Sequence, residues 1–277
     1  MTTCSGDSSR TSPDSVTLRR LAILVSMTSP DAARLAVRAG IDTIILDGEH
    51  GHPLGSEVAA MAAAIHEAGG RCLVRLAGNQ AHHIGPLLDN GLDGFVLSGV
   101  EDLGQMRRAA MAAWYPPRGN RSVNPFVPAA GNPGDEAALV AGADRLELWA
   151  MAETGSFLEG LRSGLNDIAK EPWLANWTGL IVGPYDLAAS MGYEASPDDA
   201  RLAAAVRDYV DIATRAGLTA GLFSRSPEVL RRWRDCGVAV DFMIVGYDRD
   251  IWYQELRTRV EAVADVVSGA PEEPSDS

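Results

Sequence analysis

Eight short apolar runs recur along the chain, each followed by a stretch of helical character, and few folds accept that rhythm. The runs fall at residues 21–27, 43–49, 72–77, 94–100, 146–153, 180–186, 219–224 and 242–247. They are continuous rather than alternating in polarity, as parallel strands covered on both faces must be. The segments 31–39, 56–68, 80–90, 102–114, 155–169, 197–216, 227–236 and 249–266 read as helices. Gly40, Gly69, Gly91, Gly217 and Gly237 stand where helices would end in a left-handed turn, and Ser226-Pro227 reads as a helix start. Eight such units predict an α/β protein, a single (β/α)8 TIM barrel over residues 18–267. A doubly wound sheet is the competing topology, but no Gly-x-Gly-x-x-Gly follows the first run.

The remaining features narrow the class. Residues 1–17 and 268–277 read as tails, and 115–135, rich in Pro and Gly, as a long loop. A formal charge of −13 argues against a nucleic-acid or anionic-membrane partner. No apolar run approaches the ~20 residues needed to span a bilayer, and the N-terminus lacks the apolar segment of a secretory signal. The three cysteines, Cys4, Cys72 and Cys236, are too few and too scattered for a disulfide framework or a zinc cluster. A cytoplasmic protein is expected.

In a barrel the chemistry gathers at the C-terminal ends of the strands. There the sequence offers Asp47-Gly48-Glu49-His50-Gly51 after the second run, Arg75 within the third, Glu153 at the end of the fifth and Gly183-Pro184-Tyr185-Asp186 at the end of the sixth. An ionised carboxylate after an apolar run is costly unless it is paired or binds a cation. Glu153 and Asp186, on adjacent strand ends, suit a hard divalent metal. Each could instead simply cap the helix that follows. His50, flanked by acids, is a candidate proton-transfer group. His66, His82 and His83 fall in helical segments and read as solvated faces. Arg75, in an apolar strand, calls for an anionic partner, either a substrate carboxylate or a site acid.

These residues carry a family pattern. Asp47-Gly48-Glu49-His50-Gly51 resembles the Asp-Leu-Glu-His-Gly signature of the HpcH/HpaI-type class II pyruvate aldolases, the 4-hydroxy-2-oxoheptanedioate aldolase family. Val74-Arg75-Leu76-Ala77-Gly78-Asn79 is similar to its Val-Arg-x-x-x-Asn block. Tyr115-Pro116-Pro117-Arg118-Gly119-Asn120-Arg121 is similar to its Tyr-Pro-Pro-x-Gly-x-Arg loop. Glu153-Thr154 and Gly183-Pro184-Tyr185-Asp186-Leu187 complete five blocks in order.

The resemblance implies a metal-dependent carbon–carbon lyase that joins or separates a pyruvate-type enolate and an aldehyde. It implies Glu153 and Asp186 as ligands of Mg²⁺ or Mn²⁺, with Co²⁺ as a further option, and no organic cofactor. Arg75 would hold the 2-oxo acid. His50 would serve in acid–base chemistry with Asp89 as its partner, and Asp47 and Glu49 would support them. No Schiff-base lysine is needed, and Lys170, the one lysine, falls near a helix end. A homo-oligomer, a hexamer by family analogy, is implied, with the last helix and its Trp252 and Tyr253 in the packing. Macrophomate synthase, on the same fold, marks a rival use of the enolate in decarboxylation or another carbon–carbon bond-forming reaction. A non-catalytic metal or oxo-acid binding protein is the lesser rival.

Some positions depart from the family pattern. Gly48 replaces a leucine, Ser98-Gly99 replaces Pro-Met, Met151 stands where some relatives have glutamine, and Tyr185 replaces a small residue. As pocket residues, these predict an altered acceptor, larger or aromatic, with Gly48 and Gly99 making room and Tyr185 offering a stacking face.

Overall fold

The computed structural model describes residues 20–51, 55–131, 134–168 and 173–268. Eight parallel strands close in sequence order into one barrel, β1 (Arg20–Val25), β2 (Thr43–Asp47), β3 (Arg71–Ala77), β4 (Gly94–Ser98), β5 (Glu147–Ala152), β6 (Gly179–Val182), β7 (Thr219–Phe223) and β8 (Phe242–Tyr247). β2, β4, β5 and β6 are buried along their whole length, because helices cover one face and the barrel interior fills the other. The tails expected at 1–17 and 268–277 lie outside the described residues apart from Ser268, as does Lys170.

The interior is packed in layers. Its middle holds Ala22, Leu24, Ile45, Leu73, Val96, Trp149, Ile181, Phe242 and Ile244 as one apolar plug, with the Trp149 and Phe242 rings 4.3 Å apart. The second, larger cluster lies between strands and helices. The N-terminal end of the barrel is closed by charges. Glu147 accepts hydrogen bonds from Arg20 (2.8 Å) and the Trp149 indole (3.0 Å) and pairs with Arg71, while Arg20 also donates to Thr43 (2.7 Å).

The helices are α1 (Pro30–Arg38), α2 (Glu57–Glu67), α3 (Ile84–Leu88), α4 (Leu103–Ala113), α5 (Glu136–Gly142), α6 (Gly155–Ile168), α7 (Pro184–Met191), α8 (Ala200–Arg215), α9 (Pro227–Asp235) and α10 (Asp248–Ser268). Three differ from the sequence reading. The expected helix 80–90 is a 3-10 segment, Gly78–His83, followed by the short α3. α5 is an extra helix just past the long loop; Asp135 caps it by accepting from the Ala137 and Ala138 amides. The sixth strand stops at Val182, and residues expected to prolong it open α7 instead, with Gly183 at the N-cap and Pro184 at the first helical position. Among the described residues no helix is long and apolar enough to cross a membrane.

Candidate active site

At the C-terminal mouth Arg75 is 3% exposed, so its charge must be met locally. Its Nε donates to Asp47 Oδ1 (2.9 Å), its Nη2 lies 2.9 Å from Asp47 Oδ2, and its Nη1 lies 3.1 Å from Glu49 Oε2. Asp47 thereby grips one edge of the guanidinium in the bidentate geometry that arginine favours. Asp47 Oδ1 also accepts the amides of Glu49 (3.2 Å) and His50 (3.3 Å), which folds the β2–α2 loop over the strand ends. The His50 ring stays largely exposed, with Nε2 3.8 Å from Glu49 Oε2.

Sequence reading missed Tyr247. A bulge in β8 shifts its register against β1, so that Leu24 faces Tyr247 instead of Gly246. Gly246 takes φ +135° at this bulge, a conformation that disfavours a side chain. The Tyr247 hydroxyl thus accepts from Arg75 Nη2 at 2.6 Å, and its ring lies 5.6 Å from the guanidinium. No motif signals such a residue, because a one-residue bulge decides whether it faces inward.

Glu153 is buried, and its Oε2 accepts the Gly99 amide (2.8 Å). Burial, which outweighs that hydrogen bond, together with the negative charges of Glu49 and Asp186, pushes its carboxyl up to about 7. Gly183 makes its seat possible. A Cβ there would stand 2.8 Å from Glu153 Cγ and 2.9 Å from Oε1. Asp186 lies exposed in the first turn of α7, where the helix dipole favours its charge. Leu24, Arg75, Met151, Glu153, Gly183, Tyr185, Asp186, Phe223, Arg225 and Tyr247 line one cavity of about 110 Å³. No cluster of three or more metal-ligating side chains occurs among the described residues. Two carboxylates, one of them buried and short of positive charge, nevertheless fit a hard divalent cation that completes its shell with water and substrate oxygens.

The other expected residues are already engaged within the protein. Asp89, which caps the C-terminus of α3, accepts from Arg121 Nη2 (2.6 Å) and makes no hydrogen bond or ion pair with His50. The Ser98 hydroxyl donates to the Leu76 carbonyl (3.2 Å), and neither Ser98, Gly48 nor Gly99 lines the cavity. The Tyr185 ring already carries the Arg225 guanidinium at 4.1 Å. His66 is no free surface histidine, since Nε2 lies 2.8 Å from Asp93 Oδ2.

A closed barrel with two acids and a clamped arginine at its C-terminal mouth defines the class, a (β/α)8 protein with a polar cavity at the end where such barrels carry their sites. The family model for HpcH/HpaI aldolase/citrate lyase matches residues 20–249, and the chain belongs to that family. It is 29% identical to a hydroxypyruvate/pyruvate aldolase of Pseudomonas aeruginosa, covering 91% of this chain and 90% of that one. It is 26% identical to a 4-hydroxy-2-oxo-heptane-1,7-dioate aldolase of Klebsiella pneumoniae, covering 83% of each. An HpcH/HpaI aldolase/citrate lyase family protein from Burkholderia cenocepacia superposes with a TM-score of 0.77 at 23% identity, over 89% of this chain and 95% of that one, and so shares its fold.

Proposed function

We propose that the protein is a divalent-metal-dependent class II aldolase that makes or cleaves the bond between a pyruvate-type enolate and an aldehyde. The observation that carries this reading is Glu153, a buried carboxylate short of positive charge that lines one cavity with Asp186 and a locked arginine. Glu153 and Asp186 would hold the cation, Mg²⁺ or Mn²⁺ with Co²⁺ as a further option, which when bound supplies Lewis-acid polarisation of the 2-oxo group.

Arg75 binds the oxo-acid end. Asp47 fixes its orientation, and Nη1, engaged only by Glu49, retains donor capacity for a substrate oxygen. In cleavage, His50 takes the proton of the 4-hydroxyl and the C3–C4 bond breaks. Its electron pair passes to the pyruvate enolate, and the other product leaves as an aldehyde. Protonation of the enolate at C3 then gives the 2-oxo acid. An Asp89 that supports His50 would be a second copy's, because within one chain the described contacts of His50 and Asp89 do not include one another. An oligomer is supported by α10. That helix buries no residue, and Trp252, Leu256, Val260, Val263 and Val267 form an exposed stripe along it.

The test is exchange of the pyruvate methyl protons in D₂O, followed by NMR, with Mn²⁺ or Mg²⁺, with chelator, and with Glu153→Gln. Metal-dependent exchange that the variant loses is expected. Absence of exchange in the wild-type protein with metal would overturn the pyruvate aldolase reading.

A further inference from the structure

Cleavage ends when C3 of the enolate gains a proton, and that proton needs a donor within reach of the oxo acid. His50 is largely exposed and does not line the cavity. Of the side chains that do, Glu153 and Asp186 are assigned to the cation, and the two arginines hold their protons too tightly to give them up. Leu24, Met151 and Phe223 have none to give. Two phenols remain, Tyr185 and Tyr247. Their rings flank Phe223, at 5.9 Å and 5.7 Å, but their hydroxyls are placed differently. The Tyr247 hydroxyl accepts from Arg75 Nη2 at 2.6 Å, so its own proton is directed away from the guanidinium, and among the described residues nothing accepts it. The Tyr185 hydroxyl makes no hydrogen bond among the described residues, and Arg225 lies over its ring, 4.1 Å from the centroid.

A phenol that gives up its proton becomes a phenolate, which costs least where a positive charge already touches the oxygen. Of the two, Tyr247 has that contact, and it has it with the arginine assigned to the oxo acid. Burial keeps Tyr247 above the usual tyrosine value against the pull of Arg75, so at neutral pH the hydroxyl carries the proton that an acid must deliver. Resting on the aldolase reading above, we infer that Tyr247 is a catalytic residue, the acid that protonates C3 of the enolate. The Tyr247 O–H bond breaks, the C2–C3 π pair of the enolate forms the new C3–H bond, and the enolate oxygen closes to the 2-oxo group. The phenolate left behind is held by Arg75 and takes a proton back from water at the cavity mouth. In the direction of bond formation the same phenolate removes the C3 proton.

The experiment follows exchange of the pyruvate methyl protons in D₂O with Mg²⁺ over a range of pyruvate concentrations, for wild type, Tyr247→Phe and Tyr185→Phe. The expected result for Tyr247→Phe is a maximal exchange rate lowered about tenfold or more, with the half-saturating pyruvate concentration within about threefold of wild type. Tyr185→Phe should lose less. If Tyr247 only steadied Arg75, the oxo acid would bind less well, and the loss would fall on the half-saturating concentration with the maximal rate kept. That result overturns the assignment, as does a larger loss in Tyr185→Phe. A matching fall in Mg²⁺ affinity in Tyr247→Phe, titrated calorimetrically, also overturns it, since the loss would then belong to the site as a whole. Each of these, with exchange present in the wild type, overturns this assignment alone. No wild-type exchange overturns the aldolase reading and the assignment with it.

Discussion

The two ends of the barrel solve the same electrostatic problem in opposite ways. At the N-terminal end Arg20 and Arg71 converge on Glu147, which also accepts from the Trp149 indole, and Arg20 donates to Thr43. At the C-terminal end Asp47 and Glu49 answer Arg75, which leaves Glu153 and Asp186 over and Arg225 unpaired among the described residues. A matched network favours one barrel closure over its rivals, whereas a buried carboxylate left over, as Glu153 is, carries a cost that a cation or a proton would offset. The end where the charges fail to balance is the end where the proposed chemistry lies.

The sharpest way to break the comparison is to neutralise one acid at each end. Glu153→Gln should lower catalytic turnover at least about a thousandfold, since a single ligand holds a hard cation poorly. Its metal-free Tm should stay level or rise, because a buried charge is removed. Glu147→Gln should do the reverse, costing about 1 kcal/mol of stability as two partly exposed arginines lose their common acid, with kcat nearly kept. Urea unfolding and steady-state assays on the two proteins read both quantities. If Glu147→Gln lost activity at full stability, the division between the ends would be wrong.

Finer probes follow at the mouth. Gly183→Ala should push Glu153 from its seat, since the added Cβ would lie 2.8 Å from Glu153 Cγ. A metal affinity weakened about tenfold or more, titrated calorimetrically, is expected. Tyr247→Phe removes the 2.6 Å hydrogen bond that steadies Arg75 and should lower kcat/KM for the oxo acid by about tenfold, with Tm changed little.

The smallest effect belongs to the N-terminal end, where His66 meets Asp93. The hydrogen bond to Asp93 raises His66 against its desolvation, so its stabilisation is present below the usual histidine value and is lost as pH rises through the raised one. Asp93 is lowered despite its own burial, by the His66 hydrogen bond and the Cys72 amide. Its stabilisation is present above the usual carboxylate value and is lost as pH falls through the lowered one. The pair therefore stabilises most between those limits. Wild type should exceed His66→Gln by under about 1 kcal/mol at pH 5.5, for a partly exposed pair, and by less at pH 8.5. Equal gaps at both pH values would show that the pair is not coupled to folding.

The barrel was legible in the sequence because continuous apolar runs at eightfold recurrence leave a chain few other ways to bury both faces of its strands. Asp47, Arg75, Glu153 and Asp186 stood out as candidates for a related reason, since a charge in or just after such a run is costly unless something answers it. What periodicity could not give was local direction. Gly183-Pro184 turned the expected end of β6 into the start of α7, because proline at the first helical turn competes with strand extension. Tyr247 entered the site only through a bulge, and Arg225 came to lie on Tyr185 only because β6 and β7 are neighbours in the closed sheet. Asp89 could be placed on a helix by sequence, but its engagement by Arg121 is a contact across 32 residues that no local pattern encodes. The sequence alone settled which residues are too costly to bury without a purpose, for that cost is a property of each side chain and its neighbours along the chain. Which of those residues answer one another, and which are left for a ligand, was decided by barrel closure, since pairing needs distances that only the closed sheet sets.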